Sequence, residues 1–301
     1  MDLLFAKLIV TLRADAEIGD PYTLFSLKSD FDQSFRKATC HADGRCESCR
    51  STSGCTYHAT FARELTSDPA ALKRHQKPSL PFVFQPPVLP VSCVKGTEVE
   101  LGLVLFGSAT HYLAVYWEAL QYLFRHGSSA ASQSFSPVKL ESAGCSGFRT
   151  ELADAAGPFK SDLLTTISGD DLAALNTLDP QRILLRFETH LRIARDGGFL
   201  RKFSFSPFIR TLLRRLSSLA YYYGSMLELD FKRLSAQSEA IEVVENCFHW
   251  EEWEKGSQFG LIGTGVLSGD LSDFHPVLLL GEYLNCGKDA PFGLGRYVLA
   301  R

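Results

Sequence analysis

Four of the chain's eight cysteines fall within sixteen residues of the segment CHADGRCESCRSTSGCTYH, residues 40 to 58. Their spacing is Cys40-x5-Cys46-x2-Cys49-x5-Cys55. Clustered thiols of this kind suit a closed structural site for tetrahedral Zn²⁺, which takes four thiolates. The segment is polar and glycine-containing and has no apolar periodicity of its own to fold it. A single C-x-x-C knuckle also fits a metal-free loop with incidental thiols, so Cys40, Cys46, Cys49 and Cys55 stand as candidate ligands. His41 and His58 flank the cluster and offer substitute donors. Cys93, Cys145, Cys247 and Cys286 are scattered and read as buried small hydrophobes.

Zinc is favoured over disulfides because the expected compartment is reducing. The first residues, MDLLFAKLIVTLRADAE, alternate in polarity and carry no basic region ahead of an apolar run. No apolar stretch approaches ~18 residues, so no membrane span is expected. A cytoplasmic protein follows as the expectation.

Charge is segregated. The net charge of the 301 residues is only −3. Yet residues 181–215 carry Arg182, Arg186, Arg192, Arg195, Arg201, Lys202, Arg210, Arg214 and Arg215 against two acids, Glu188 and Asp196. Residues 225–254 reverse the balance, with eight acids against Lys232 and Arg233. A localised basic face on an acidic chain suits an anionic partner, the alternative being a solvated face.

The elements that must position these groups follow from periodicity. Residues 3–13 alternate with Leu4, Ala6, Leu8, Val10 and Leu12 on one face, which predicts a half-buried strand. A helix is expected from about Tyr22 to Lys37, an edge or crossing strand in SLPFVFQPPVLPV, and a strand over 97–106. HYLAVYWEALQYLFRHG is an amphipathic helix closed by Gly127, and FSPVKLES another strand. The order β-α-insert-β-β-α-β is ferredoxin-like. Residues 143–180, rich in glycine, serine and acids, read as a connection. The same order then recurs: a strand over 182–193, a helix capped by Ser206 with Pro207 first, strands near 239–248 and 258–268, a helix in FHPVLLLGEYLNCG and a last strand RYVLA. The expected class is α+β, with two tandem ferredoxin-like (RRM-like) domains. The first spans 1–142 with its cysteine-rich insert at 40–58; the second spans 181–301.

Between the last helix and strand lies GKDAPFGLGRY, residues 287 to 297. Glycines at this density let backbone N–H groups approach a ligand closely, or simply build a tight turn. Lys288 and Arg296 add charge and Phe292 a stacking face. The pattern is neither a Walker loop nor a dinucleotide fingerprint.

Here the sequence resembles Cas6, the CRISPR repeat-processing endoribonuclease family of the RAMP superfamily. GKDAPFGLGRYVL looks like its C-terminal glycine-rich loop and last strand. FSFSPFIRTLLRRLSSLAYYYG looks like the first helix of its second domain. VELGLVLFGSATHYLAVYWEALQYLFRHG looks like the strand and helix that close the first, and CTYHATF matches a cysteine-bearing insert found in part of the family. The resemblance implies cleavage of pre-crRNA repeats without a catalytic metal. The ribose 2′-OH attacks the scissile phosphate and leaves a 2′,3′-cyclic phosphate and a 5′-OH, giving mature crRNA. Histidine suits the proton transfers and Lys or Arg the phosphorane charge.

By resemblance, the candidate base is His41, after a helix bearing Arg36 and Lys37, with Tyr22 as a second member. His58 is the next candidate, then His111; the other reading of His41 is a neighbour or ligand of zinc. His190 reads as an RNA contact. RNA contacts are expected from Arg186, Arg192, Arg210, Arg214, Lys288, Phe292, Gly293, Gly295 and Arg296. The family's Arg-Tyr-Ser-type segment is replaced here by Trp253-Glu254-Lys255-Gly256-Ser257. The implied partners are CRISPR repeat RNA or crRNA and other Cas proteins of an effector complex. Two further readings stand beside the nuclease: a non-catalytic RAMP subunit that holds crRNA, and a zinc-containing nucleic-acid-binding regulator.

Overall fold

A computed structural model describes residues 3–40, 46, 49, 54–62, 64–72, 78–90, 93–154, 157–225, 227, 229–253 and 258–300. The chain divides into two units, one of Phe5–Thr166 and the other from Ile167 onward together with the residues before Phe5. His41 lies outside the described residues, as do residues 254–257, which follow Trp253.

The first unit holds an antiparallel sheet of β1 (Phe5–Ala14), β2 (Phe82–Gln85), β3 (Glu98–Phe106), β4 (Phe135–Ala143) and β5 (Arg149–Asp154). Its order is β2-β3-β1-β4-β5. The first four strands give the ferredoxin-like order, and β5 extends it as a hairpin with β4. Helices α1 (Leu27–Thr39) and α2 (Leu113–His126) pack on each other. The stripe Leu27, Phe31 and Phe35 of α1 is buried at helical spacing. Phe31 meets Phe84 edge-on at 4.7 Å and Phe35 meets Tyr116 at 4.9 Å, so the core is largely aromatic.

Asp30, also on α1, is buried yet satisfied. It accepts from the N–H of Ser129 at 2.6 Å and of Ser128 at 2.8 Å, and from the Ser132 hydroxyl at 3.2 Å. The carboxylate thus ties α1 to the turn that follows α2.

Two expectations are corrected here. β1 is not half-buried: it is the central strand, with β3 and β4 on either side, and Phe5, Ile9 and Thr11 on its second face are buried too. Residues 143–180 are not a plain connection. They supply β5 and then α3 (Gly169–Ala174), whose N-terminus Ser168 and Asp171 close with a capping box.

The second unit carries β6 (Arg182–Leu191), α4 (Phe205–Tyr223), α5 (Phe231–Gln237), β7 (Glu242–Asn246), β8 (His249–Glu252), β9 (Phe259–Ser268), α6 (His275–Leu284) and β10 (Tyr297–Leu299). The sheet runs β8-β9-β6-β10, with β7 also paired to β9. This is the ferredoxin-like order again, with its second strand broken into β7 and β8. Ile183, Leu185 and Phe187 face a core shared with Phe208, Leu212 and Leu216 of α4 and Leu278 of α6. α4 begins two residues before Pro207, after Ser204. Proline is tolerated there because the first-turn N–H groups have no helical acceptor. Ser206 is not the cap; its hydroxyl donates to Glu239 at 2.9 Å. No helix among the described residues is long and apolar enough to cross a membrane.

Candidate nucleic-acid interface

The glycine-rich turn of the second unit is clamped to the end of β6. Lys288 N–H donates to the Arg192 carbonyl at 2.8 Å and Gly295 N–H to the His190 carbonyl at 3.0 Å. Cys286 N–H donates to the Gly295 carbonyl at 2.9 Å. Thr189 works in both directions: its hydroxyl donates to the Gly293 carbonyl at 2.7 Å and accepts from Arg296 N–H at 2.9 Å. Gly287 and Gly295 have φ of +89° and +66°, and a Cβ on either would run into the carbonyl of Arg192 or Cys286. Only glycine combines that backbone with that closeness.

This geometry corrects the expected role of the turn. The N–H groups of Lys288, Phe292, Gly293, Leu294, Gly295 and Arg296 are all engaged within the protein. Gly293 and Gly295 are buried and shape the turn; they do not line a phosphate cradle. What the turn presents outward is side chains: exposed Lys288 and half-buried Phe292.

The basic face is only partly available. Arg192 is buried, lies 3.9 Å over the Phe259 ring and donates to the Phe259 carbonyl at 2.8 Å, so it is a strut. Burial pulls its guanidinium down from the usual arginine range, while Asp289, 3.5 Å away, holds it up. Arg296 is likewise pulled down by burial and held up by Glu188 and Glu282. His190 is fully buried; burial pushes it toward the neutral form, against Glu251 at 3.5 Å. It is therefore not a surface contact. His190 and Arg192 lie on the same side of the strand as exposed Arg182 and Arg186, but the turn and Phe259 cover that end.

Arg186, Arg210 and Arg214 are exposed. Arg186 pairs with Glu188 at 2.7 Å and Arg210 with Glu239 at 2.6 Å, and the Arg214 guanidinium returns to the Arg210 carbonyl at 3.3 Å. Thr189 and Asp289 are working parts of the turn that motif reading passed over. The one available signal was a threonine on the apolar side of the strand, between Phe187 and Leu191.

In the first unit the residues named for catalysis lie around α1. Tyr22 precedes the helix and packs edge-on against Phe25 at 5.6 Å. Lys37 is exposed in its last turn, so most of a ~20 Å helix separates the two, and the structure does not bring them together. His58 stands nearer to Lys37. The preceding Tyr57 donates to Asp32 at 2.7 Å and accepts from Arg36 at 2.6 Å, with the Arg36 guanidinium 4.6 Å from its ring centroid. That network seats the His58 segment beside the last turns of α1. His58 itself pairs with Glu64 at 3.1 Å. Burial pushes the Tyr57 phenol up, helped by Asp32 and opposed by Arg36.

Cys40 ends α1, and Cys40, Cys46, Cys49 and Cys55 are half-buried and not disulfide-bonded. Among the described residues no three His, Cys, Asp or Glu side chains converge as a metal site. Of the four scattered cysteines, Cys93 and Cys286 are buried as expected, whereas Cys145 is half-buried and Cys247 exposed.

These two ferredoxin-like units, the second closed by a clamped glycine turn, define the class of fold. Residues 3–156 match a family model described as an N-terminal domain, and residues 185–297 match that of CRISPR-associated endoribonuclease Cas6. The second unit thus carries a Cas6-type domain. Among solved structures, a Cas6 product complex aligns over 100% of both chains with TM-score 0.57 and 16% identity. Thermus thermophilus Cas6 aligns over 99% of both with TM-score 0.54 and 15% identity. A partial Cas6-RT-Cas1–Cas2 complex aligns with TM-score 0.60 and 14% identity, over 99% of this chain and 46% of that one. In a second Cas6-RT-Cas1–Cas2 complex this chain spans 29% of the aligned chain. At these identities the likeness is one of fold. No curated protein sequence matches the chain.

Proposed function

We propose that this protein is an endoribonuclease that cuts CRISPR repeat RNA to release crRNA. The observation that carries the reading is the Cas6 family match over 185–297, which runs from within β6 through the clamped turn to β10. The similar structures include a Cas6 product complex and a Cas6 substrate mimic complex, which supports an RNA substrate of the same kind. The Cas6-RT-Cas1–Cas2 complexes support other Cas proteins as partners.

The proposed chemistry is attack by the 2′-OH upstream of the scissile phosphate, without a catalytic metal, giving a 2′,3′-cyclic phosphate. A 2′-OH is a weak acid, so its proton must pass to a positioned base as the bond forms; a histidine base contributes ~10²–10⁴-fold. His41 is the proposed base, Lys37 the proposed stabiliser of phosphorane charge, and His58 the alternative base. Tyr22, at the far end of α1, is given no role in this step.

The test is single-turnover cleavage of a repeat hairpin RNA in EDTA, with the product ends read directly. Wild type should leave a cyclic phosphate and a 5′-OH. His41→Ala should lose cleavage while keeping RNA affinity; selective loss in His58→Ala would move the base there. Tight RNA binding with no cleavage by wild type would instead identify a subunit that holds crRNA.

A further inference from the structure

A row of rings runs across the second unit beside the glycine turn. Trp250 of β8 and Phe259 of β9 have centroids 5.9 Å apart, and Phe259 and Phe199 lie 5.6 Å apart. All three rings are half-buried. A cation closes each end. The Arg201 guanidinium lies 4.1 Å over Trp250, and the Lys288 ammonium 5.5 Å from Phe199. Both cations are exposed. The middle ring is fixed from beneath by buried Arg192.

Structural cation–π contacts account for single pairs, each worth about 0.5–1 kcal/mol at exposed sites. They do not account for a continuous row of three half-buried rings between two exposed charges. We propose that this row is a stacking platform for unpaired nucleotides, with Trp250 and Phe199 taking base faces and Arg201 and Lys288 the flanking phosphates. The proposal rests on the RNA reading above and specifies which part of an RNA this surface takes. Unpaired nucleotides fit because bases in a duplex hide their faces, whereas those of a single strand present them to aromatic side chains.

One residue opposes binding. Glu252, 64% exposed, accepts from the Trp250 indole at 2.7 Å and faces Arg201 at 3.5 Å. An incoming phosphate competes with this carboxylate for Arg201. Removing its charge with Glu252→Gln should therefore tighten binding, the reverse of what a purely structural Arg201–Glu252 pair would do.

The test is titration of the full chain with single-stranded oligoadenylate and with a blunt RNA duplex, followed by tryptophan fluorescence. Trp117 is buried and Trp253→Phe removes the other exposed indole, so quenching reports Trp250. Oligoadenylate should quench it. Trp250→Leu should weaken single-strand binding by roughly 5- to 100-fold and leave duplex binding unchanged. Trp250→Phe, which keeps a ring, should restore most of it, and Arg201→Gln, a surface change, should weaken it. Equal loss for duplex and single strand, or unchanged affinity in both Trp250→Leu and Arg201→Gln, would overturn the proposal. If the platform binds oligoadenylate but the repeat hairpin is neither bound nor cut, the nuclease reading fails and the platform stands.

Discussion

The Thr189 hydroxyl donates to the Gly293 carbonyl at 2.7 Å, joining β6 to the glycine-rich turn 104 residues later in the chain. The same oxygen accepts from Arg296 N–H. Thr189→Val keeps the shape but leaves a buried carbonyl and a backbone N–H without partners. The expected cost is about 1–3 kcal/mol for the unsatisfied groups, read by thermal or urea denaturation. A variant as stable as wild type would show that the clamp is redundant.

Gly295→Ala should be worse. Its φ of +66° is unfavourable for alanine, and the new methyl would run into the Cys286 carbonyl. The turn must open, breaking the Gly295–His190 and Cys286–Gly295 hydrogen bonds together. Alanine at Gly197, where φ is +78° but nothing lies within 4 Å, meets only the backbone preference. The melting temperature of Gly295→Ala should fall well below that of Gly197→Ala.

Acid should loosen the first unit through Asp30. Burial alone pushes its carboxyl up, but the hydrogen bonds from Ser129, Ser128 and Ser132 outweigh it and hold the carboxyl below its ordinary value. Because the folded value is the lower one, the contribution is complete above the unfolded carboxylate range, about 3.9, and is lost as pH falls through the folded value. Asp30→Asn should therefore be markedly less stable than wild type near neutral pH, and the gap should shrink as both are acidified. A gap that does not change with pH would count against the ionised carboxylate.

The cysteines divide into two chemical groups. Purified protein is expected to carry about one zinc per chain on Cys40, Cys46, Cys49 and Cys55, measured by elemental analysis. Replacing Cys46 and Cys49 with serine should remove it, and metal-free wild type would sink the idea. Cys286, pushed up to about 12 by burial, should resist alkylation in the native state, while exposed Cys247 should label readily.

The ferredoxin-like order was legible because alternation at β1 and β3 and the stripe of α2 are long and regular. β5 escaped notice because its six residues, Arg149–Asp154, follow a glycine- and serine-rich turn and bury only Leu152 and Ala153. Pro207 suggested a helix start two residues late, since proline is tolerated anywhere in the first turn. For the site, composition located the basic stretch and the glycine turn. It could not reveal that Arg192 and His190 are covered, because a strand's alternation fixes a side and says nothing of what lies on it. The ring row was invisible for a related reason: Phe199, Trp250 and Phe259 are up to sixty residues apart and meet only through the pairing of β8 with β9 and the return of the chain after β6.

Arg36 touches both ends of the cysteine insert: its carbonyl accepts from Cys40 N–H at 2.8 Å, and its guanidinium meets Tyr57. The chain therefore leaves α1 and comes back to it at nearly the same point. For such a loop the entropic cost of closure rises slowly, by about 0.6 kcal/mol for each doubling in length. The insert is thus anchored at both ends to one turn of α1. Lengthening or shortening the insert should therefore cost the domain little, provided that Tyr57, Phe61 and the aromatic core beneath them are kept.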